Sequence, residues 1–478
     1  MSLAGWDHVS HFDMVEMIRT YGTTIDRLPP AFDDTSWFFS SYPQAFHAGL
    51  ATVMDFLVGA EETSRHTELI GYSRGTALIL IAAAVMVAAG LCSLPRLRQL
   101  PWVGLPVATL AAGAFLLGPG AVGPARGHAN FILATALTAA VALAVVTQDR
   151  VLRPLPLAAI GGAVVGVAHG WLALLTMTLL AVPVMLVPTS RDRWRANRRQ
   201  VVLSCLIVVA TGTGLIMAIT IIATGPPVNL VTATGGVEHN PLTVLVRAAT
   251  VPACLVASGL LVADIRRHRS SRLSDSDRRT AWLIGVPVIA ALVIVVLAIA
   301  QYRAVGELRY YLYKFVIATQ LVSIVILTVI VGTLLVRWIL RRSPLSSARH
   351  SKIPLVMASL LATLATTQVF GYTGPTFTDK LNPLLSPGMR TQGRSEIAAL
   401  NPPTPRRRLP HWRIFKPNTP IATSSTCGRK DRASNRPKPR SGSWPWPDGG
   451  QTARQKWPGP SSLQMPVAAH RSRSPGHC

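Results

Sequence analysis

The sequence contains few charged residues: they make up only 14% of its 478 positions, whereas soluble domains carry about 25%. Its apolar residues, 49% of the chain, are gathered in long blocks rather than in short amphipathic patterns. A helix needs about 20 apolar residues to cross a bilayer, and several of these blocks are that long. The sequence therefore excludes a soluble globular domain and predicts an all-α, polytopic membrane protein.

Several other signals are missing. The five cysteines form no CxxC pair and no disulfide framework, and residues 1–30 contain no signal-peptide core. The net charge of +26 is not accompanied by a zinc-finger, homeodomain or RNP pattern, so nucleic acid is not an expected partner. The positive charge instead follows the loops between apolar segments, as in membrane proteins.

Ten apolar segments predict about ten spans. They cover residues 75–94, 102–119, 129–147, 155–168, 171–187, 201–223, 243–263, 281–300, 313–336 and 353–370. Residues 155–187 carry no charge and would form one helix of about 50 Å, longer than the ~30 Å hydrocarbon core. We therefore expect a break at His169-Gly170-Trp171, which gives two short spans.

Basic residues alternate between the loops. Twenty Lys and Arg fall in alternate loops, whereas the intervening loops contain only Arg126, Arg303 and Arg309. The positive-inside rule predicts a multi-pass protein of the cytoplasmic (plasma) membrane, with its N-terminus and tail extracytoplasmic. The predicted regions are an outer segment (1–74), a transmembrane domain (75–370) and an outer tail (371–478).

The tail changes character near residue 401. From there it is rich in Pro, Ser and Trp, with 15 Lys and Arg against 2 Asp and Glu, and it is predicted to be disordered. Two interpretations stay open: a basic arm for anionic polymer or lipid, and out-of-frame translation of a GC-rich gene. At the other end, a missing first helix, from truncation or a misplaced start, would explain why the chain begins in an outer segment.

The outer segment contains most of the candidate chemistry. Asp7, His8, His11 and Asp13 are close in sequence, and the spacing of Asp7 and His11 puts them on one helix face. Such a group can bind a divalent cation or supply a general base. The alternative is a solvated polar patch that caps a helix.

A second group follows in the same segment. Asp33 and Asp34 are adjacent carboxylates that can hold a metal or an activated hydroxyl, or cap the helix predicted from about 41 to 58. Tyr42 and His47 lie near the start of that helix, and His47 is placed to face an outer cavity. Among the other outer loops, His128 is a weaker candidate.

The last outer loop ends in a basic and aromatic run. Arg309, Tyr310, Tyr311 and Lys314 lie at a membrane edge and suit the phosphate of a lipid headgroup. The alternative is an aromatic belt with a snorkelling lysine. Arg247 lies inside a predicted span and is a functional candidate because buried charge there is costly.

The predicted outer loop has an early Asp7 and a Tyr42-Pro43-x-x-x-His47 element before a span, and a Tyr310-Tyr311-x-x-Lys314 element comes late in the chain. This combination resembles the GT-C class of membrane glycosyltransferases. The closest likeness is to the actinobacterial cell-wall group that includes the arabinofuranosyltransferases.

The resemblance covers about residues 1–385 and implies transfer of a sugar, in that group arabinofuranose, from a polyprenyl-phosphate donor to a cell-envelope glycan outside the membrane. On that model Asp7 is the general base, Lys314 and Arg309 stabilise the departing phosphate, and Asp13 or Asp33 and Asp34 assist or bind a cation. The family's usual first helix and C-terminal carbohydrate-binding domain have no counterpart here.

Two other classes remain open. A transporter or lipid flippase would show repeat symmetry and charged residues near mid-membrane, whereas the sequence has only Arg247 and no repeat. A non-catalytic membrane protein derived from a truncated glycosyltransferase would not need acidic and histidine residues clustered in its outer segment.

Overall fold

A computed structural model describes much of the predicted membrane domain and part of the outer segment. The described residues are 6–29, 37, 39–59, 64–121, 123, 127–148, 153–186, 198–224, 241–267 and 275–342. Every regular element among them is helical. The predicted all-α class is therefore confirmed for this part of the chain.

Thirteen α-helices are numbered here in chain order. They are α1 (Trp6–Tyr21), α2 (Ala45–Val58), α3 (Arg65–Ser93), α4 (Pro95–Gln99), α5 (Pro101–Leu116), α6 (Ala129–Thr147), α7 (Pro154–Gly170), α8 (Leu175–Ala181), α9 (Arg198–Thr224), α10 (Pro241–Arg267), α11 (Asp275–Trp282), α12 (Gly285–Val305) and α13 (Tyr310–Arg342). Short 3-10 turns occur at Ile25–Arg27, Pro119–Ala121, Leu172–Leu174 and Val182–Leu186.

Seven helical segments in the described chain are long and apolar enough to cross a membrane. They are Arg65–Ser93, Pro101–Ala121, Ala129–Thr147, Arg198–Ala223, Ala249–Arg267, Asp275–Val305 and Tyr310–Arg341. The predicted count of ten is not confirmed. The segment at 353–370 lies outside the described residues, and 155–187 forms the shorter apolar helices Pro154–Gly170 and Leu172–Leu186.

The break inside 155–187 lies where the sequence predicts it. Helix α7 ends at Gly170, and Trp171 has an extended backbone with φ −157° and ψ 95°. Trp171 is buried and packs against Phe131 and Tyr311, with ring centroids 4.9 and 6.4 Å apart. The break therefore places an aromatic side chain beside the start of α13.

Helices α6 and α13 form the centre of the bundle, and most of their side chains are buried. By contrast, α9 is strongly apolar and packs one face on α7, while the rest is largely accessible, with Leu206, Val209 and Ile216 each at least 60% exposed. A helix that is apolar on all sides is stable when its surroundings are apolar too. This pattern fits a helix that contacts bilayer lipid.

Charged side chains lie at both ends of the bundle. At one end, Arg96 holds Asp277 in a two-pronged ion pair of 3.0 and 2.7 Å, and Arg337 also reaches this buried carboxylate. Arg337 and Arg341 each contact Asp264 at 2.6 Å. Lys314 lies near the start of α13 and Arg337 near its end, about 35 Å apart at 1.5 Å per residue. This distance is comparable to the thickness of a bilayer core.

The outer segment packs against α3 through α1 and α2. Arg19 on α1 donates to Asp55 on α2 at 2.7 Å, to the Gly59 carbonyl at 2.7 Å, and to Glu68 on α3. Helix α3 begins at Arg65, before the predicted boundary after residue 74, because Ser64 caps it by accepting from the Thr67 amide. The first turns of this helix therefore pack with the outer segment.

Candidate functional site

The side chains of Asp7, His128, Tyr310 and Lys314 meet at the end of the bundle opposite the Arg337 network. We call this group the Asp7 cluster. The Oδ2 atom of Asp7 lies 2.9 Å from Nδ1 of His128 and 3.8 Å from Nζ of Lys314, and it accepts a hydrogen bond from the Tyr310 hydroxyl. Two hydrogen-bond donors and one cation therefore converge on one carboxylate oxygen.

Helix geometry explains why the side chains of Tyr310 and Lys314 lie next to each other. They are four residues apart, so they share one face of α13. The Lys314 ammonium lies 4.0 Å from the centre of the Tyr310 ring, a cation–π contact that fixes its position. Both residues are in the first two turns of α13, where the helix dipole adds positive potential near Asp7.

Gly127 brings His128 to Asp7. Its φ of +80° is a left-handed conformation that favours glycine, and it allows the chain to turn into α6. A Cβ atom at this position would lie 2.8 Å from the backbone nitrogen of His8 and 3.2 Å from Cβ of Asp7. The turn before α6 and the first turn of α1 can approach this closely only because residue 127 has no side chain.

The cluster keeps Asp7 ionised. Burial alone would raise the pKa of Asp7, but the hydrogen bond from His128, the charge of Lys314 and the hydrogen bond from Tyr310 outweigh it, so the pKa falls well below its usual range. Burial and the charge of Lys314 lower the pKa of His128 to about 4. Near neutral pH His128 is therefore uncharged. Because an ionised carboxylate can only accept, Nδ1 of His128 must carry the proton.

Asp7 is also more accessible than His128 and Lys314. Its side chain is 29% exposed, against 2% for His128 and 5% for Lys314. A ligand that enters from solvent would therefore reach the carboxylate before it reached the lysine. The buried partners form the floor of the site.

A second group lies behind the Asp7 cluster. Nδ1 of His11 and Nε2 of His47 are 2.7 Å apart, and their rings are stacked with centroids 4.9 Å apart. The Tyr42 ring packs edge-on against both histidines, and its hydroxyl accepts from Asn130 at 2.8 Å. Asn130 and His128 both belong to the start of α6, so this helix end joins the two groups.

These histidines are buried in the protein interior. His47 and His11 are 0% and 4% accessible, and burial lowers the pKa of His47 to about 3 and that of His11 well below its usual value. His8 is also buried and lies edge-on to Tyr72. His47, which the sequence predicts to face an outer cavity, is therefore a buried and uncharged side chain behind the Asp7 cluster. His11, predicted as part of a cation-binding or general-base group, is buried and uncharged in the same way, and His8 is buried as well.

The remaining candidates lie elsewhere. Asp13 is six residues after Asp7, which turns it about 120° around α1 and about 9 Å along it, where its charged neighbours are Glu16 and Arg65. Arg309 pairs with Glu307 at 2.7 Å, in the loop before α13. Tyr311 lies beside Tyr310 and stacks on Trp171. Asp33 and Asp34 lie outside the described residues, as does the side chain of Arg247.

The sequence marks only weakly two residues at the start of α6 that the structure brings to the site. His128 was only one of several isolated outer-loop histidines, although it makes the closest contact to Asp7 apart from Tyr310. Asn130 lies in an apolar run and carried no signal. The glycine directly before His128 was the one clue, since a left-handed residue commonly ends a turn.

The described residues contain no group of three His, Cys, Asp or Glu side chains arranged to hold a metal. In the Asp7 cluster only Asp7 and His128 are of that kind, and the remaining charged group is the cation Lys314. The predicted divalent cation would depend on residues outside the described part of the chain.

Comparisons with models of protein families, with curated proteins and with solved structures find no match to this chain.

Proposed function

We propose that the protein is an integral membrane glycosyltransferase that uses a polyprenyl-phosphate-linked sugar donor. The observation that supports this most strongly is the pairing of a partly exposed carboxylate, Asp7, with a buried cation, Lys314, 3.8 Å away at one end of an apolar helix bundle. A base and a phosphate-binding cation are the two groups that transfer from a lipid phosphate requires. The resemblance to GT-C enzymes supports the same reaction.

In the proposed reaction Asp7 removes the proton from an acceptor hydroxyl. The acceptor oxygen forms a bond to the anomeric carbon of the donor sugar, while the bond between that carbon and the phosphate oxygen breaks. The lipid phosphate leaves with the bonding electron pair. Lys314 and the hydroxyl of Tyr310 stabilise the charge that develops on it.

The same groups explain how Asp7 becomes a base. In the resting cluster its low pKa makes it a weak proton acceptor. A donor phosphate would compete for Lys314 and Tyr310 and would bring its own negative charge close to Asp7. Both effects raise the pKa of Asp7, so the carboxylate gains basicity only when the donor is bound.

His128 is a positioning residue in this scheme. Its Nδ1–H bond to Asp7 holds the carboxylate in place, and its lowered pKa keeps it from competing for the transferred proton. The stacked His11 and His47 hold α1 against α2 and so fix the direction in which Asp7 points. Neither ring needs to touch substrate.

We further propose that the reaction takes place on the outer face of the cytoplasmic membrane and that the acceptor is a cell-envelope glycan. In the sequence, twenty basic residues fall in the alternate loops that the predicted spans separate from Asp7, and the positive-inside rule then supports this orientation. Arabinofuranose is the sugar that the resemblance suggests.

A transporter is the second candidate, and one observation weighs against it. Helix α13 carries no charged residue between Lys314 and Arg337, so its membrane-spanning stretch offers buried Gln320 and Ser323 but no ion pair at mid-membrane. Transport of a charged substrate commonly uses such groups. An assay of sugar transfer distinguishes a glycosyltransferase from a non-catalytic membrane protein.

The test measures transfer of labelled sugar from a polyprenyl-phosphate donor in membranes that contain this chain. We expect transfer with the unaltered chain, loss of at least 100-fold in Asp7→Asn, and little change in Asp26→Asn, a carboxylate in the turn after α1. Equal transfer in both variants would reject Asp7 as the base. No transfer by correctly inserted protein would reject the proposed activity.

A further inference from the structure

A groove at the arginine-rich end of the bundle lies between the second half of α10 and the junction of α11 and α12. It is an open surface groove with a volume of about 640 Å³, lined by apolar side chains together with Ser258, Gly259, Arg266 and Arg267. Asp264 on the same helix pairs with Arg337 and Arg341 near the end of α13, which places the groove at the end away from the Asp7 cluster. The groove is therefore a separate site.

The mouth of the groove carries positive charge. Arg266 and Arg267 are both exposed, and within the described residues no carboxylate lies within ion-pair distance of either guanidinium. The nearest acid along the helix, Asp264, is already neutralised by Arg337 and Arg341, both at 2.6 Å. The two guanidinium groups can therefore receive an anion, and a phosphate oxygen is a favoured partner.

The body of the groove is apolar and lies on a membrane-facing helix. Leu255, Val262 and Ala263 line it from α10, and Leu255 is 48% exposed on the surface of a candidate span. Ala281 and Ile284 line it from the junction of α11 and α12. The hydroxyl of Ser258 is buried and, in the described part of the chain, has no hydrogen-bond partner. Nothing lies within 4 Å of a Cβ atom built on Gly259, so the groove stays open at that point.

We propose that this groove binds an anionic glycerophospholipid from the leaflet that borders the arginine-rich end. Arg266 and Arg267 hold the phosphate, Ser258 donates to an ester oxygen, and an acyl chain lies along the apolar wall past Gly259. Basic pockets between membrane helices commonly select negatively charged headgroups in this way. This site does not depend on the transfer reaction proposed for the Asp7 cluster.

The test uses the full-length purified protein in detergent, with bound lipid counted by native mass spectrometry during titration. The probes are phosphatidylglycerol and phosphatidylcholine with the same acyl chains, and glycerol 3-phosphate as a free headgroup. We expect phosphatidylglycerol to bind at least tenfold more tightly than either of the others. Equal affinity for phosphatidylcholine would reject selection of the charge, and equal affinity for glycerol 3-phosphate would reject the role of the acyl groove.

Variants locate the site. The double variant Arg266→Gln/Arg267→Gln is expected to bind phosphatidylglycerol at least tenfold more weakly, whereas Arg98→Gln, an exposed arginine near the same end, keeps wild-type affinity. Gly259→Leu fills the groove without removing charge and should weaken binding, while Gly259→Ala should not. An effect of Arg98→Gln as large as that of the double variant, or no effect of Gly259→Leu, would overturn the assignment.

Discussion

The carboxylate of Asp7 and the ammonium of Lys314 lie 3.8 Å apart, although they belong to the first and last helices that the structure describes. Lys314 is almost fully buried, so its positive charge is costly unless a negative group stays beside it. Asp7 supplies that charge in the resting protein. A donor phosphate beside Lys314 would balance the lysine charge equally well, and this exchange of Asp7 for phosphate is the basis of the proposed reaction.

Removal of the Lys314 charge should affect the step in which the phosphate leaves. We expect Lys314→Gln to lower kcat for sugar transfer about 100- to 1,000-fold, the usual loss when one stabilising donor is removed. Lys314→Arg keeps the charge and should retain more activity than Lys314→Gln. Steady-state assays with the lipid-linked donor would measure both variants. Equal losses of kcat in the two variants would show that the positive charge of Lys314 does not contribute to transfer.

Loss of the Tyr310 hydroxyl should move the pH dependence of transfer. The hydrogen bond from Tyr310 helps to lower the pKa of Asp7, so Tyr310→Phe raises it. The acidic limb of kcat/KM against pH, which reports ionisation of the free enzyme, should therefore move to higher pH in this variant. Tyr313→Phe, three residues further along α13, serves as the control. The assignment would fail if both profiles coincided with that of the unaltered protein.

Gly127→Ala should be damaging because two costs add. The left-handed backbone costs a residue with a side chain about 1 kcal/mol or more, and the new Cβ atom would collide with the His8 backbone at 2.8 Å. Gly306→Ala is a matched control, because Gly306 has a φ of +74° but open space around it. Thermal unfolding in detergent should show a larger loss of Tm for Gly127→Ala. Equal losses of Tm would mean that the close approach of residue 127 to α1 does not affect stability.

Asp13 should make stability depend on pH. Burial and the nearby Glu16 raise its pKa to about 6, so its ionisation opposes folding. That cost is absent below about pH 4, where the carboxyl is protonated in both the folded and the unfolded chain, and is complete above about pH 6. Asp13→Asn should therefore stabilise the protein more at pH 7 than at pH 4, as measured by thermal unfolding. A pH-independent effect would show that Asp13 titrates normally.

Much of the fold could be predicted because apolar block length is a strong signal. The span at 129–147 coincides with α6, and the break near Trp171 was predictable from the length of an uncharged run and the thickness of a bilayer. The ten-span count goes beyond what the structure confirms. Two of the predicted spans are short helices, and a third lies outside the described residues.

The candidate site was predictable only where helical spacing links the residues. Tyr310 and Lys314 lie one turn apart, so the sequence could place them together. The same rule paired Asp7 with His11, yet His11 points inward to His47 because α2 packs against that side of α1. The contact of His128 with Asp7 depends on how α6 and α1 meet in three dimensions, which no local pattern encodes.

The central claim is that Asp7 and Lys314 act in one transfer step, and a double-mutant cycle tests it most directly. The rate of sugar transfer from a polyprenyl-phosphate donor would be measured for the unaltered protein, Asp7→Asn, Lys314→Gln and the double variant, all in the same membranes. If the two residues serve one step, the double variant should have about the same activity as the less active of the two single variants. Losses that multiply, or an unaltered protein that transfers no sugar, would contradict the account.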